Sequence, residues 1–290
     1  MEQKMQIDSQ EIDPALEFEY VSGQGRQSFG ELIGRFECQS TRVKAFLTGF
    51  LDQPYGTGAR QTFDFFNAIA DPVATLIYFH AGYWQSRDKS TFCFLAEKLC
   101  EVGFNVALVN YPLCPAVTIG QIVEITRGCV PAIMRASTCE DGQISKVILA
   151  GHSAGAHLAV ELSMTDWATY DGSRPDIAGL VAISGIYDLE PLVSTSLNRN
   201  LRLSSEEART LSPLWRARPG LAPALFVAGE TETWSFLRQT ESMHAVWAMA
   251  GNDSEIMTCN GDDHFSVLLQ LTETKSELFR SCCALASIDI

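Results

Sequence analysis

A chain of 290 residues that is 46% apolar and 19% charged can bury one large core and is too apolar to be disordered over its bulk. Its 35 acidic and 21 basic side chains leave a formal net charge of −14. That balance argues against nucleic acid and against anionic membrane surfaces, both of which need clustered Lys and Arg. The nine cysteines fall at irregular spacings, with no CxxC and no Cys/His ligand pattern. No metal site and no disulfide framework follows, and reduced thiols in a cytoplasmic protein are the expectation.

In chain order, the first ten residues lack the apolar stretch of a signal peptide. No later apolar run approaches the roughly 18 residues that a spanning helix needs. Phe29, Leu32, Ile33 and Phe36 fall at i, i+3, i+4, i+7, as do Val43, Phe46, Leu47 and Phe50, which predicts two short amphipathic helices. Residues 52–60, rich in Gly and Pro, read as a loop before an extended stretch at 61–66. Strands are then expected at 75–79, 105–109, 146–150, 180–184, 224–228 and 255–259. Helices are expected at 90–102, 118–136, 154–164 and 235–250, with Pro131 kinking the second. Continuous apolar strands separated by helices specify an α/β fold, a mostly parallel sheet covered on both faces. Residues 188–219 are long, polar and out of rhythm. With residues 25–52 they are expected to form a small cap on a single domain spanning 1–290, over the strand ends where open sheets bind ligands.

The strongest chemical signal is Gly151-His152-Ser153-Ala154-Gly155, placed between a strand and a helix. In that frame Gly-x-Ser-x-Gly is a nucleophile elbow: small flanking residues allow a turn tight enough to lift the serine hydroxyl above the sheet. A helix starting at Ala154 aims its free N–H groups at the same point. His80-Ala81-Gly82-Tyr83-Trp84 follows an earlier strand, and the N–H groups of Gly82 and Tyr83 can join that of Ala154 as an oxyanion hole. Each such donor is worth about 2.7–4 kcal/mol of transition-state stabilisation. His264, in Gly261-Asp262-Asp263-His264-Phe265 after the last strand, is the expected base, since the order in this fold is serine, acid, histidine. His80, His152, His157 and His244 are read as packing or positioning residues. For the acid, Gly229-Glu230-Thr231-Glu232 offers two carboxylates. Glu232 is preferred, three residues past the strand-terminal glycine, with Glu230, Asp188 and Asp263 as rivals. Trp84, Tyr83, Trp234 and Phe236 lie in or beside these loops, and Trp84 and Trp234 are taken as candidate substrate contacts. A substrate carboxylate would need a cation, for which Arg87, Lys89, Arg199 and Arg238 are the candidates.

Together these motifs resemble the kynurenine formamidase (arylformamidase) branch of the α/β-hydrolases, near the hormone-sensitive-lipase-like esterases. That branch carries His-Gly-Gly-Tyr-Trp at the oxyanion loop and Gly-His-Ser-Ala-Gly-Ala-His-Leu at the elbow. Residues 151–158 agree throughout, and the oxyanion run departs only at Ala81. Similar pieces recur at 111–115, 185–192, 212–213 and 229–239, so the resemblance spans residues 55–264. Ala81 puts a Cβ where the family has glycine, and Glu232 stands where Asp is common. The resemblance implies hydrolysis of an N-formyl or related aryl or vinyl amide through an acyl-enzyme on Ser153, without a cofactor and on a small molecule. A carboxylesterase for small acyl esters would use the same machinery. The oligomeric state is left open, a homodimer included.

Overall fold

In this computed structural model, which describes residues 11–24, 29–137 and 146–289, the strands supply two cores at once. Among the described residues eight strands form one sheet: β1 (Gly49–Pro54), β2 (Thr62–Phe66), β3 (Ala74–Phe79), β4 (Phe104–Val109), β5 (Lys146–His152), β6 (Ile177–Ile183), β7 (Ala224–Gly229) and β8 (Ser254–Cys259). Their order is β1-β2-β4-β3-β5-β6-β7-β8, antiparallel at β1/β2 and β2/β4 and parallel throughout the rest. β3, β4 and β7 are buried at every position. With a side-chain period of two, Ile77, Phe79, Leu149 and Phe226 enter one core, while Leu76, Tyr78, Ile148 and Leu225 enter the other. That double burial explains why these strands are continuous apolar runs in the sequence.

Before the sheet come α1 (Pro14–Tyr20), capped by the Asp13 side chain, and α2 (Phe29–Phe46). The second expected helix, reaching Phe50, is absent: α2 runs unbroken for 18 residues and the chain then enters β1. The spacing of Val43, Phe46, Leu47 and Phe50 fits either outcome. Cross-strand pairing decides it, because Phe50 lies opposite Phe65 with the rings 5.0 Å apart and nearly parallel. The expected cap element at 25–52 therefore ends in the sheet, and its residues 25–28 lie outside the described residues. The body of α2 buries Ile33, Phe36 and Val43 in the second core, so only its first turn reaches the strand ends.

Residues 90–102 do not form one helix. Two 3-10 turns, at Lys89–Thr91 and Cys93–Leu95, precede α3 (Ala96–Glu101). Tertiary bonds compete with the helical ladder here: Phe94 N–H donates to Ser40 Oγ, which itself donates to Thr91 O. The 118–136 pattern splits at Gly128 into α4 (Ile119–Arg127) and α5 (Cys129–Ala136). The break places Pro131 in the first turn of α5, where its missing N–H costs nothing. α6 (Ala154–Ser163), buried along its whole length, follows β5, and the short α7 (Trp167–Tyr170) leads to β6.

Between β6 and β7, the expected insertion at 188–219 is built from 3-10 turns and two short helices, α8 (Asn198–Leu201) and α9 (Ser205–Thr210). The N-terminal segment ties down this insertion. Asp13 N–H donates to Ser194 O at 2.9 Å, and the Glu17 carboxylate accepts from both the N–H and the hydroxyl of Ser196. α10 (Trp234–Met249) and α11 (Glu277–Leu285) complete the layers. Among the described residues no helix is long and apolar enough to cross a membrane. β3 has β4 on one side and β5 on the other, so the chain reverses its direction across the sheet there. A crevice opens at the carboxyl ends of such a pair.

Candidate active site

Ser153 occupies the turn between β5 and α6 with φ 56° and ψ −120°, a conformation that costs a non-glycine residue roughly 1–3 kcal/mol. The neighbouring glycines make the turn possible. A Cβ on Gly151 would stand 2.1 Å from Gly155 O, and one on Gly155 would stand 2.0 Å from Phe79 O. Ser153 N–H donates to Ile183 O at 2.9 Å, which ties the elbow to β6. The serine side chain does not cap α6 and its hydroxyl makes no hydrogen bond among the described residues. Ala154, as the first residue of α6, has an N–H with no partner inside the helix.

His264 follows β8, and its Nδ1–H donates to Glu232 Oε2 at 2.6 Å. That bond fixes the tautomer and leaves Nε2 as the basic nitrogen. Glu232 is buried. Its second oxygen accepts from Gly229 N–H at 2.7 Å and from the Ser184 hydroxyl at 2.6 Å. The additional methylene relative to Asp lets the carboxylate fold back beneath Gly229 while still reaching the imidazole. The rival carboxylates are occupied elsewhere: Glu230 accepts from Gly261 N–H, Asp188 from Glu190 N–H, and Asp263 from the N–H groups of Phe265 and Ser266.

Three other histidines hold the frame. His80 Nδ1–H donates to Ala81 O, and its ring stacks on Tyr111 at 4.3 Å. Burial pushes its pKa down to about 4, so it is neutral. His152 donates from Nε2 to His264 O at 2.6 Å, and burial, aided by the charge of His264, holds its pKa well below the usual value. His157 donates to Leu211 O in the insertion. The positioning bonds from Ser184 and His152 have no sequence signature beyond a polar residue at a strand end.

In the His80–Trp84 loop, positive φ falls on Gly82, Tyr83 and Trp84 and not on Ala81. The Cβ at position 81 is therefore unstrained, whereas one on Gly82 would lie 2.2 Å from Ser86 O. The N–H groups of Gly82 and Tyr83 have no protein acceptor among the described residues. Tyr83 OH donates to Tyr20 O, which fastens the loop to the end of α1. Ser153, His264, Gly82 and Tyr83 line one cavity of ≈ 250 Å³, walled further by Phe29, Leu197, Phe265 and Arg87. The two tryptophans expected to contact substrate do not reach it. Trp84 is 0% exposed and packs edge-on against His157, while Trp234 is 67% exposed on α10 with Arg238 over its ring. Trp84 is taken up by the core beneath its loop, and Trp234 stands at the start of α10 facing away from the site. Phe236 does lie beside the site, its ring 4.5 Å from that of His264.

The alpha/beta hydrolase fold family matches residues 76–268, and sheet order, elbow and histidine loop agree with that class: the chain is a hydrolase of the α/β-hydrolase fold. It is 33% identical over 249 residues to a kynurenine formamidase of Danio rerio, covering 83% of each chain, and 30% identical to that of Salmo salar, covering 80% of each. A solved structure of a candidate thioesterase from Silicibacter superposes with a TM-score of 0.80 at 28% identity, covering 91% of this chain and 97% of the other. The chain belongs to the kynurenine formamidase family of α/β-hydrolases.

Proposed function

We propose that this enzyme hydrolyses the formamide of an aryl-substituted amine, N-formylkynurenine being the substrate its relatives indicate. Ser153 is the nucleophile, His264 the base and Glu232 the acid. The observation that carries the reading is one cavity lined by Ser153, by His264, whose imidazole is held by Glu232, and by Gly82 and Tyr83, whose N–H groups have no protein acceptor among the described residues. As Ser153 Oγ attacks the formyl carbon, its proton passes to His264 Nε2. The oxyanion is stabilised by the N–H groups of Gly82, Tyr83 and Ala154. His264 then gives that proton to the leaving nitrogen as the C–N bond breaks. Conjugation of this nitrogen with the ring makes it a better leaving group than an alkyl amine. Water, deprotonated by His264, releases formate from the formyl-serine. Glu232 stabilises the transient imidazolium and does not take the proton.

The insertion at 188–219, which contributes Leu197, and the first turn of α2, which contributes Phe29, act as the cap over a single domain. The cysteines of the described residues are all free thiols, which fits a reducing, cytoplasmic setting. The test compares kcat/KM on N-formylkynurenine and on 4-nitrophenyl acetate. The expected ratio exceeds one, and a ratio well below one makes the enzyme an esterase. Fluorophosphonate labelling should vanish in Ser153→Ala; labelling that survives places the nucleophile elsewhere.

A further inference from the structure

Arg87 bears the only fixed charge among the described residues that line the catalytic cavity. Its guanidinium makes no hydrogen bond and no ion pair among the described residues. The group is nevertheless held in place: it lies over the Phe29 ring at 5.1 Å and the Phe265 ring at 5.8 Å. The backbone beneath it adopts φ 75°, and Arg60 Nη2 donates to Arg87 O at 2.8 Å. Phe29 and Phe265 pack edge-on against each other, 4.7 Å apart, so they cover the guanidinium from one side and leave its N–H edge free, and that edge matches a carboxylate with two parallel bonds. Partial burial lowers its pKa, with Glu37 acting in the opposite direction, so a bound anion would offset the part of the desolvation that Glu37 leaves. The position is close to the chemistry, since the charge of Arg87 is felt by His152, which packs against His264. The other candidate cations are placed elsewhere. Lys89 is buried between Asp52 and Asp64, Arg238 pairs with Glu241, and Arg199 is exposed on α8.

We propose that Arg87 is the anion-recognition residue of this cavity, gripping a carboxylate on the leaving-group side of the substrate while the scissile carbonyl sits at Ser153. This extends the formamidase reading above and rests on it for the identity of the scissile bond. In a chain of net charge −14, an anionic substrate finds little attraction elsewhere, so one cation in the cavity can govern the choice.

The experiment measures kcat and KM on two substrate pairs for wild type, Arg87→Met and Arg87→Lys. Met keeps the apolar stem on Phe29 and Lys keeps the charge without the fork. One pair is N-formylkynurenine and formanilide; the other is O-acetyltyrosine and 4-cresyl acetate. In Arg87→Met the ratio of kcat/KM on N-formylkynurenine to that on formanilide should fall about 30-fold, mainly through KM, with Arg87→Lys restoring part of it. Equal losses on both members of a pair would assign Arg87 a structural role and overturn the proposal, as would a wild-type enzyme indifferent to the carboxylate. If wild type cleaves neither formamide, the formamidase reading fails and the ester pair decides the role of Arg87 by the same ratio.

Discussion

Replacing Glu232 by Gln tests the site at the point where its geometry is most demanding. Glu232 accepts three hydrogen bonds, from His264 Nδ1, Gly229 N–H and the Ser184 hydroxyl. A glutamine of the same length can still accept from Gly229 and Ser184 through its carbonyl oxygen. Its NH₂ group then faces His264, and since it can only donate, the imidazole must present an unprotonated Nδ1 and carry its proton on Nε2. In that tautomer Nε2 cannot take the proton of Ser153, and the imidazolium loses its carboxylate partner. An acid-to-amide exchange of this kind in a serine triad lowers kcat about 10⁴-fold, equivalent to roughly 5 kcal/mol of barrier. All three partners stay bonded, the one at His264 with donor and acceptor exchanged, so the melting temperature should move only a few degrees. Steady-state hydrolysis and the rate of fluorophosphonate labelling should fall together, while Glu230→Gln, whose carboxylate serves Gly261, should stay within about twofold of wild type. A loss smaller than tenfold in Glu232→Gln, or a comparable loss in Glu230→Gln, would refute the assignment of the acid.

Gly155→Ala should be strongly destabilising. The new Cβ meets Phe79 O at 2.0 Å and His80 O at 2.7 Å, backbone atoms of the strand and the loop beyond it, so overpacking of about 3 kcal/mol or more is expected; a melting temperature within a few degrees of wild type would contradict the tight elbow. Stability should also decline on acidification from about pH 6.5 to 4. His80 is neutral in the fold with a pKa of about 4, so in that window the unfolded chain binds more protons and the native state loses free energy as pH falls, about 3 kcal/mol from His80 alone. Urea midpoints measured across this range in wild type and His80→Asn check it: the variant's profile should be shallower, and two identical profiles would remove His80 as the cause.

The frame of the candidate site was legible because its residue types are dictated locally. A tight turn admits only small flanking residues, so Gly151, Ser153 and Gly155 announce themselves in the sequence, and the parallel strands announce themselves by being buried on both faces. What long-range contacts decide was not legible. The helical spacing at Val43–Phe46–Leu47–Phe50 gave way to the pairing of Phe50 with Phe65. The 90–102 pattern gave way to side-chain bonds from Ser40, 54 positions from Phe94. Trp84 and Trp234 have the composition of substrate contacts, but the sequence cannot say which side of a loop faces the cavity. Arg87 could be named only as one of four cations. Its place on the cavity wall, with Phe29 and Phe265 against the same guanidinium, is set by residues far apart in the chain.

The same dependence on distant contacts explains how a site drawn from four separated loops can be rigid. Tyr20 O anchors the Tyr83 hydroxyl, and the Tyr20 hydroxyl accepts from Gln239 Nε2. Gln239 in turn holds the backbone at Tyr187 and Asp188, where the insertion begins. One residue earlier, Glu19 accepts from Ser235 N–H and, through its carbonyl, from Thr233, beside Glu232. The end of α1 therefore binds the oxyanion loop, the acid loop and the root of the cap at once. Electrostatic stabilisation depends on donors already in position when charge develops, and a strained serine turn holds its geometry only if its surroundings over-determine it. In this chain the Tyr83 hydroxyl holds its loop to the end of α1, and the Ser153 N–H bond to Ile183 O holds the turn for which the two glycines make room.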